Sequence, residues 1–488
     1  MRYAVDMLVH EKGGGMVNMT RRASLKAAAG LAATVGFPTI IPASVLGQNA
    51  PSKTIQLGQI GFGRIGKSMD VPGLLACKGS RYIALSDLDT HRMALGKRFI
   101  DEAYAKKKTS VSLSLHQDFR ELLARPDIDA VAISTPDHWH SQIAVEAAFA
   151  GKDIYMQKPA SLTIAEGRLF SNAVRENKRV FLLGSQQRST AQFHRACELV
   201  RNGRLGKVTR IEIGLPGDPA GGRLDEMPVP SNLNYEMWLG STPQVYYTED
   251  RVHKQNDPDL SSRPGWLRCE QFGAGMITGW GSHHLDIAHW AMGWEATGPV
   301  AIEGKGAFHT GGLWNVHGDY DVTLTYADGT AVRVWDKFPN GVRFIGDKGW
   351  IFVSRGAAKM TASDPTAPGK ALKALDASDP HLLEGEIGAN EVHLYKNAGT
   401  HHQNWIDCIR SRADAIVPAE TAHRSCSACL LAHIGMKLGR KLTWDPTAER
   451  FVNDAAADAM LAREERAPYG TRRAYERLSV HSQGGKHV

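Results

Sequence analysis

Residues 54–66 read TIQLGQIGFGRIG, and this stretch decides the fold. A run of alternating apolar residues, predicted to be a strand over 55–60, ends in the spacing G-x-G-x-x-G and leads into a predicted helix. Gly61 is expected to form the tight turn, Gly63 to let backbone N–H groups approach a pyrophosphate, and Gly66 to pack the helix on the strand. The stretch therefore predicts a dinucleotide-binding turn with the phosphates at a helix N-terminus. The predicted cofactor contacts here are Gly61, Phe62, Gly63, Arg64, Ile65 and Gly66.

The glycine spacing alone is weak evidence, because the chain has 49 glycines. Two further observations support it. A second apolar run, over 82–86, is followed by Asp87, roughly twenty residues past Gly66, where the acid that binds a ribose diol is expected. A third apolar run lies at 130–134, after a stretch of helical pattern. The three runs together predict a parallel sheet.

The order of predicted elements gives the domain organisation. Strands and helices alternate from residue 54 to about 183, which is typical of a doubly wound α/β Rossmann domain, assigned to residues 51–187. Residues 188–450 are predicted to form an α+β domain with a large open, mainly antiparallel sheet, including a hairpin at Asp328-Gly329. Residues 451–488 are predicted to be a C-terminal tail.

Composition limits the partners. A chain of 488 residues is long enough for two or three domains with their own cores. The formal net charge is +7, and no basic run with interleaved aromatic residues occurs, so nucleic acid is not an expected partner. Among six cysteines, Cys426 and Cys429 form a C-x-x-C pair. We favour a packing role on a helix over a redox pair or half a metal site, because no second pair accompanies it.

The first fifty residues are predicted to be a targeting segment. Residues 20–26 read TRRASLK, a twin-arginine signature followed by a weakly apolar run that is too short and too rich in Gly and Ala for a stable membrane span. This predicts export by the twin-arginine machinery to the periplasm or beyond. Because that route carries folded proteins, the cofactor is expected to be loaded first and tightly bound. The alternative is an ordinary N-terminal extension with a chance Arg-Arg pair.

Two polar motifs follow predicted buried strands. Residues 135–140 read TPDHWH and follow the strand at 130–134, and residues 157–159 read QKP and follow a strand predicted at 153–156. Lys158 is thus placed near a bound nicotinamide, where partial burial would lower its pKa and allow proton exchange near neutrality. Spacing alone leaves open whether Lys158 is instead a surface lysine in a loop.

These motifs together resemble the Gfo/Idh/MocA oxidoreductases, the glucose-fructose oxidoreductase and inositol dehydrogenase family, from Thr54 to about Asp445. The resemblance implies that Lys158 occupies the place of the lysine in the Glu-Lys-Pro motif, which contacts substrate and nicotinamide. This chain has Gln157 where the family has glutamate. The predicted cofactor contacts in these two motifs are Thr135, Pro136, His138, Gln157 and Lys158.

A second constellation lies at residues 273–290, where small and apolar residues repeat at helical spacing around His283. The resemblance implies the pattern D-x-x-x-H-x-x-D, with His283 near the reacting hydroxyl, Asp286 matching the last acid and Gly279 replacing the first. The predicted catalytic residues are Lys158 and His283, and the predicted substrate contacts are Lys158, Arg188, Trp280, His283 and His284. A buried structural histidine is the alternative for His283. The sequence also offers His283, His284, Asp286 and His289 as metal ligands, but we do not favour a metal site here.

These observations predict an exported oxidoreductase that moves hydride between NAD and a secondary hydroxyl of a sugar, sugar derivative or cyclitol. The charge of Asp87 would repel a 2′-phosphate, so NAD is preferred, while Arg92 nearby keeps NADP as the less favoured choice. One alternative is a glycoside-cleaving or epimerising enzyme with a closed redox cycle. Another is a non-catalytic sugar-binding protein, suggested by the acids missing at Gln157 and Gly279. The resemblance also implies a homo-oligomer, a dimer or tetramer.

Overall fold

The computed structural model describes residues 54–356 and 373–484, with side chains described up to residue 480. The predicted signal segment at 1–50 lies outside the described residues. Within the described ranges, no helix combines the length and apolar character needed to cross a membrane.

A six-stranded parallel sheet forms the first part of the molecule. Its strands are β1 (Ile55–Ile60), β2 (Ser80–Ser86), β3 (Ser114–His116), β4 (Ala130–Ile133), β5 (Asp153–Met156) and β6 (Phe181–Leu183), in the order β3-β2-β1-β4-β5-β6. This order reverses between β1 and β4, which is the switch point where α/β sheets bind ligands. Gly61, at the end of β1, has φ of +85°, and a Cβ there would lie 2.7 Å from the carbonyl oxygen of Ser134. Only glycine therefore fits this turn.

Helices cover both faces of this sheet. They are α1 (Val71–Ala76), α2 (Thr90–Lys106), α3 (Phe119–Leu123), α4 (Asp137–Phe149) and α5 (Ile164–Glu176). Their starts follow capping chemistry: Asp89 accepts the N–H groups of His91 and Arg92 at α2, and Thr163 accepts the N–H of Glu166 at α5. A π-helical turn, Gly66–Asp70, precedes α1, where the sequence predicted a continuous helix. The turn points Asp70 into the interior, where it is fully buried.

A nine-stranded, mostly antiparallel sheet forms the second part. Its strands are β7 (Val208–Gly214), β8 (Ala301–Phe308), β9 (His317–Thr325), β10 (Ala331–Trp335), β11 (Gly341–Gly346), β12 (Gly349–Val353), β13 (Leu375–Ala377), β14 (Leu442–Asp445) and β15 (Arg450–Phe451). The order is β13-β12-β11-β7-β10-β9-β8-β14-β15, and β7 with β10 is the parallel pair. The predicted fold class, a Rossmann domain followed by an α+β domain with a mainly antiparallel sheet, is confirmed.

The remaining helices join the two sheets. They are α6 (Ala191–Arg201), α7 (Tyr235–Leu239), α8 (Met276–Gly279), α9 (Gly281–Met292), α10 (His401–Ser411), α11 (Ala419–Leu438), α12 (Ala455–Asp458) and α13 (Thr471–Gly484). Helix α11 packs on β8 and β9 on one side and on α5 on the other, so the two cores are continuous. In α11, the thiols of Cys426 and Cys429 donate to the carbonyl oxygens of Ser161 and Ser425, in keeping with the packing role.

The chain ends on the domain where the described part begins. Helix α13 packs against α4 and α5 of the first domain. Arg463 forms an ion pair with Glu166, with 2.8 Å between Nη2 and Oε1, and the Gly470 N–H donates to the Gln142 side chain at 2.8 Å. The predicted tail thus completes the helical layer of the nucleotide domain.

Candidate active site

A cleft follows the carboxyl end of the parallel sheet and encloses about 1310 Å³, measured to its open mouth. The glycine turn and the ends of β1, β2 and β4 form one end of the cleft. Helix α8 and the loop before it form the other end. The predicted site residues in its wall are Gly61, Gly63, Arg64, Ile65, Asp87, Thr135, Pro136, Gln157, Lys158 and Trp280.

Asp87 is held by backbone donors at the end of β2. Its carboxylate accepts the N–H of Phe62 at 2.7 Å and the N–H of Asp89 at 2.9 Å. Burial raises the pKa of Asp87 to about 6, against the opposing influence of Arg92 and these two N–H groups. Asp87 is therefore ionised at neutral pH, and each oxygen keeps a lone pair for a ribose hydroxyl. This end of the cleft fits the adenosine half of a dinucleotide.

Arg92 brings a positive charge to the same end. A Cβ built on Gly63 would lie 3.3 Å from Arg92 Nη1, so the guanidinium lies over the glycine turn. Burial lowers the pKa of Arg92, and the charges of Asp87 and Asp89 oppose that shift. Arg92 can therefore reach a phosphate at the turn, and it is also the cation that a 2′-phosphate would meet.

Lys158 lies in the wall of the cleft beside Asp137. The ammonium makes no hydrogen bond or ion pair to any side chain in the described ranges. Burial lowers the pKa of Lys158, the charge of Asp137 opposes this shift, and the charges of Arg64 and Arg263 add to it. Burial likewise raises the pKa of Asp137, and the charge of Lys158 opposes it. The lysine is thus poised to exchange a proton closer to neutrality than an ordinary lysine.

A buried network surrounds the side chain of Gln157, the residue before Lys158. The side-chain amide of Gln157 donates to Asp70 Oδ1 at 2.7 Å. The hydroxyls of Tyr155 and Ser134 donate to the same carboxylate at 3.2 and 2.7 Å. Asp70, which the sequence analysis did not single out, supplies an acid next to position 157. The network joins the ends of β4 and β5 to the turn before α1.

His140 links the two motifs that follow β4 and β5. Its Nδ1 lies 2.7 Å from the carbonyl oxygen of Pro159, and its Nε2 lies 3.0 Å from that of Thr135. The imidazole is almost fully buried, so these two carbonyls fix the ring and the ring fixes the two loops. The lysine loop and the cofactor loop are therefore held in one arrangement. His140 is the second histidine of the TPDHWH motif, so the motif could have indicated this residue.

Several arginine side chains lie at the end of the cleft that the second domain forms. Arg64 and Arg263 both lie in the wall, and the Nε of each is buried without a hydrogen-bond partner. Asp218, which is fully buried, lies 3.5 Å from Arg263 Nη2 and 4.0 Å from Arg268 Nε. Burial lowers the pKa of Arg64 to about 10, and the charges of Arg263 and Arg268 add to this effect. Arg64 remains cationic at neutral pH. The sequence did not identify Asp137, Arg263 and Asp218 as site residues, because no single motif contains all three.

His283 lies behind the cleft wall, next to Trp280. The two rings meet edge to face with centroids 5.9 Å apart, and Trp280 is the residue that reaches the cleft. Burial lowers the pKa of His283 well below its usual value, and the charges of Arg355 and Lys158 add to this shift. His283 is therefore a neutral imidazole, and its Nδ1 is buried without a hydrogen-bond partner.

Arg188 and Asp286 form a buried ion pair. Arg188 Nη2 lies 2.6 Å from Asp286 Oδ1, Nε lies 2.8 Å from Oδ2, and the two side chains are 1% and 0% exposed. Arg188 Nη1 also pairs with Glu295 at 2.6 Å. Arg188 therefore does not reach the cleft as a substrate contact, because its donors are used inside the fold. The carboxylate oxygens of Asp286 accept from Arg188 in this pair, so Asp286 does not orient His283.

Four other predicted contacts also lie outside the wall of the cleft. The Phe62 side chain packs in the core against Phe99, and only its N–H serves the site. Gly66 lies under the turn, where a Cβ would approach the Gly61 carbonyl oxygen to 3.2 Å. His138 binds the Trp238 carbonyl at 2.8 Å. The His284 Nδ1 lies 3.5 Å from the Gln187 amide.

Cleft geometry and fold together define the class of protein. The parallel sheet has a glycine turn at its switch point, an acid at the end of β2 and a lysine at the end of β5. These features define a nicotinamide-binding Rossmann oxidoreductase. The chain belongs to the Gfo/Idh/MocA oxidoreductase family. Residues 55–185 match the NAD-binding Rossmann fold of that family, and residues 220–357 and 367–471 match its C-terminal alpha/beta domain.

Three similar proteins show how far the likeness extends. An uncharacterized oxidoreductase, YrbE of Bacillus subtilis, is 27% identical over 318 residues, which cover 64% of this chain and 76% of that protein. The alpha-N-acetylgalactosaminidase of Shewanella oneidensis is 29% identical over 215 residues, 40% of this chain and 46% of that protein. The structure of a levoglucosan dehydrogenase with NADH and levoglucosan shares the fold, with a TM-score of 0.52 and 15% identity over 80% of this chain and 99% of that one.

Most of the curated relatives are matched over only part of their length. The match spans less than two thirds of the Shewanella protein and of other relatives, such as a myo-inositol 2-dehydrogenase of Thermotoga maritima, of which it covers 54%. The family and its Rossmann cofactor domain are thus established for this chain.

Proposed function

We propose that this protein oxidises a secondary hydroxyl of a sugar, sugar derivative or cyclitol with NAD as the hydride acceptor. The observation that carries the proposal is Lys158, which lies in the same cleft wall as the dinucleotide turn, at the end of β5, and has a lowered pKa and no side-chain partner among the described residues. The printed names of the relatives, a levoglucosan dehydrogenase and a myo-inositol 2-dehydrogenase, support a carbohydrate or cyclitol substrate.

Each residue has a defined task in this reaction. The glycine turn would hold the pyrophosphate of a dinucleotide, whose nicotinamide would supply the hydride acceptor when bound. Lys158 in its neutral form takes the hydroxyl proton, so the alcohol loses one hydride and one proton and leaves as a ketone. Asp87 binds the adenosine ribose diol, and Asp137 tunes the charge of Lys158. His283, as a neutral imidazole behind Trp280, is proposed as the second residue that handles the hydroxyl proton, as a hydrogen-bond partner and not as the final proton acceptor.

The test follows nicotinamide absorbance of the NAD-loaded protein while sugars, sugar derivatives and cyclitols are added singly. A stable rise in reduced nicotinamide is expected with at least one compound, and it should vanish in Lys158→Ala. The surface variant Lys337→Ala is the matched control and should keep the signal, because its ammonium is half exposed. If Lys158→Ala turns over as fast as the unaltered protein, the proposed role of Lys158 is wrong.

The match to the Shewanella alpha-N-acetylgalactosaminidase favours a second candidate, a glycoside-cleaving or epimerising enzyme with a closed redox cycle. In such a cycle a transient ketone acidifies the neighbouring C–H, and the same hydride returns to the product. Bound cofactor with no net reduction, together with chromatographic detection of a cleaved or inverted product, would identify this candidate.

We also propose that the protein is exported by the twin-arginine machinery, acts in the periplasm with tightly bound NAD and forms a dimer or tetramer. The TRRASLK segment and the broad antiparallel sheet support this proposal. Fractionation of cells with and without the Arg21→Lys, Arg22→Lys double substitution tests export, and light scattering of the purified protein tests the oligomer. Cytoplasmic retention of both forms would contradict export.

A further inference from the structure

We propose that the substrate carries a negative charge, a carboxylate or a phosphate ester, which binds between Arg64 and Arg263. This inference rests on the proposed function, because it names the substrate class of the same cleft. It also accounts for the acid that the family pattern has at position 279 and this chain lacks.

The first step is the balance of charge at this end of the cleft. Arg64, Lys158, Arg263 and Arg268 share it with two carboxylates, Asp137 and Asp218. Arg355, over the Trp280 ring, adds a further positive charge that acts on Lys158. Both carboxylates are deeply buried, and burial raises the pKa of each. The described residues therefore leave an excess of positive charge, and buried charge without a partner is costly. An anion in the cleft would remove that cost.

The second step is the state of the arginine donors. Arg64 is 8% exposed, makes no hydrogen bond to another described residue, and has a buried Nε without a partner. Arg263 keeps only a 3.5 Å contact to Asp218 and a 3.4 Å contact to Met276 Sδ, and its Nε is also without a partner. Guanidinium groups in this state fit a bidentate oxyanion.

The third step separates this anion from the phosphates of the cofactor. The dinucleotide end has Arg92 over Gly63 of the glycine turn. Arg64 also belongs to this turn, but the charges that act on its guanidinium are those of Arg263 and Arg268. Arg263 instead lies beside Met276 at the start of α8, and Asp218 accepts the Met276 N–H at 2.7 Å. Arg263 therefore belongs to the wall that α8 provides, which is the side where a substrate would lie against Lys158.

The fourth step concerns Gly279. The family pattern has an aspartate here, and a Cβ at Gly279 would meet only Met276 Sδ, at 4.0 Å. The space of the missing carboxylate is therefore open toward the cleft. A substrate that brings its own negative charge would be repelled by an acid at this position, so glycine suits an anionic substrate.

The experiment measures binding to the NAD-loaded protein by calorimetry. The probes are matched sets: glucose, glucuronate and glucose 6-phosphate, and galactose with galacturonate. At least one anion should bind about tenfold more tightly than its neutral partner, which corresponds to about 1.4 kcal/mol. Added salt should weaken binding of the anion and leave the neutral sugar unchanged. Glucuronate and glucose 6-phosphate distinguish a carboxylate site from a phosphate site.

Variants show whether these arginines are responsible. Arg263→Gln should remove the preference for the anion while NAD affinity stays within about twofold. Arg64→Gln should also remove the preference, and because Arg64 belongs to the glycine turn its NAD affinity is measured separately. Arg263→Lys, which keeps the charge, should retain part of the preference, and Arg210→Gln on the exposed side of β7 is the matched control. The salt dependence and Arg263→Lys keep the test valid if a glutamine variant does not fold.

Two results would overturn the inference: no anion in the panel binds more tightly than its neutral partner, or the glutamine variants lose NAD affinity and keep the anion preference. A different result would overturn the proposed function alone. If a sugar acid binds through Arg64 and Arg263 but no compound yields reduced nicotinamide or product, the anion site stands and the oxidoreductase reaction does not.

Discussion

Gln157 donates its side-chain amide to the buried carboxylate of Asp70, with Nε2 2.7 Å from Oδ1. The family pattern places a glutamate at position 157, next to the lysine. Here the carboxylate comes instead from the π-helical turn before α1, and the amide is the complementary donor. The departure from the family pattern is thus an exchange of glutamate for an amide at position 157, and the acid beside that position comes from the neighbouring turn.

This exchange makes Gln157→Glu a destabilising change. Two carboxylates would then face each other in the interior, and we expect a loss of about 2–4 kcal/mol at neutral pH. The new pair would share a proton, so the folded-state pKa of the introduced carboxyl group would be raised. Its penalty is full above that pKa and shrinks as the pH falls toward the unfolded value. Thermal melts at about pH 8 and pH 5 should show a narrower gap at the lower pH. The double variant with Asp70→Asn should recover part of the stability, and a pH-independent gap would contradict this account.

Lys158 should set the rising limb in the pH profile of sugar oxidation. The neutral amine accepts the proton, so kcat/KM should rise with pH through a kinetic pKa below the ordinary value for lysine. Because the charge of Asp137 raises the pKa of Lys158, Asp137→Asn should move that limb to lower pH by about one unit. Stopped-flow rates across pH check this. Asp101→Asn, on the surface of α2, is the control, and an unmoved limb in Asp137→Asn would disprove the coupling.

Asp87 should control the choice of cofactor. Asp87→Ser removes the charge that binds the ribose diol, and we expect NAD affinity to fall by about 10- to 100-fold, or about 1.4–2.8 kcal/mol, while NADP affinity falls less or rises. Arg92 supplies the cation that would accept a 2′-phosphate. Fluorescence titrations with both cofactors measure the ratio. Tighter binding of NADP than of NAD by the unaltered protein would contradict the proposed preference.

The Arg188–Asp286 pair should matter for stability rather than for substrate binding. Arg188→Ala leaves a buried carboxylate without its bidentate partner, and we expect a loss of about 3–5 kcal/mol. Denaturant unfolding measures this loss, and Arg210→Ala, half exposed on β7, should change stability by less than about 0.5 kcal/mol. If Arg188→Ala keeps its stability and instead raises KM, Arg188 has the substrate role that the sequence predicted.

Gly279→Asp should fold well and change ligand preference. The open space around its Cβ predicts a small effect on stability, within about 1 kcal/mol. The added charge should weaken anion binding by about tenfold and leave a neutral sugar unaffected. Gly279→Ala controls for the side chain itself, and calorimetry with glucuronate and glucose compares the two. Equal weakening by alanine and aspartate would show that bulk, and not charge, is responsible.

The fold was predictable because its signals are local. Period-two and continuous apolar runs predicted β1 and β5 with their observed bounds, and the capping residues Asp89 and Thr163 mark helix starts within a few residues. The cofactor site was predictable from the glycine turn for the same reason. Each of these features depends on residues adjacent in the chain.

The charged end of the cleft was not predictable in the same way. Arg263 and Asp218 are far apart in sequence from Lys158 and meet it only when the second domain closes over the sheet edge. The burial of Arg188 was missed for the same reason, because its partner lies 98 residues further along the chain. His283 and Asp286 are three residues apart in α9 and share a helical face, but this spacing does not show that Arg188 binds the carboxylate.

The return of the C-terminal helix to the nucleotide domain has a consequence for synthesis. The Rossmann sheet leaves the ribosome before the antiparallel sheet, yet two helices of its outer layer, α4 and α5, receive α13 only when residues 471–484 have emerged. This packing of the nucleotide domain therefore forms after the strands of both sheets have been synthesised. A chain that is cut after residue 450 would lack the helix that packs on α4 and α5, while most of its antiparallel sheet would be present. Dinucleotide binding would therefore report whether synthesis has reached α13.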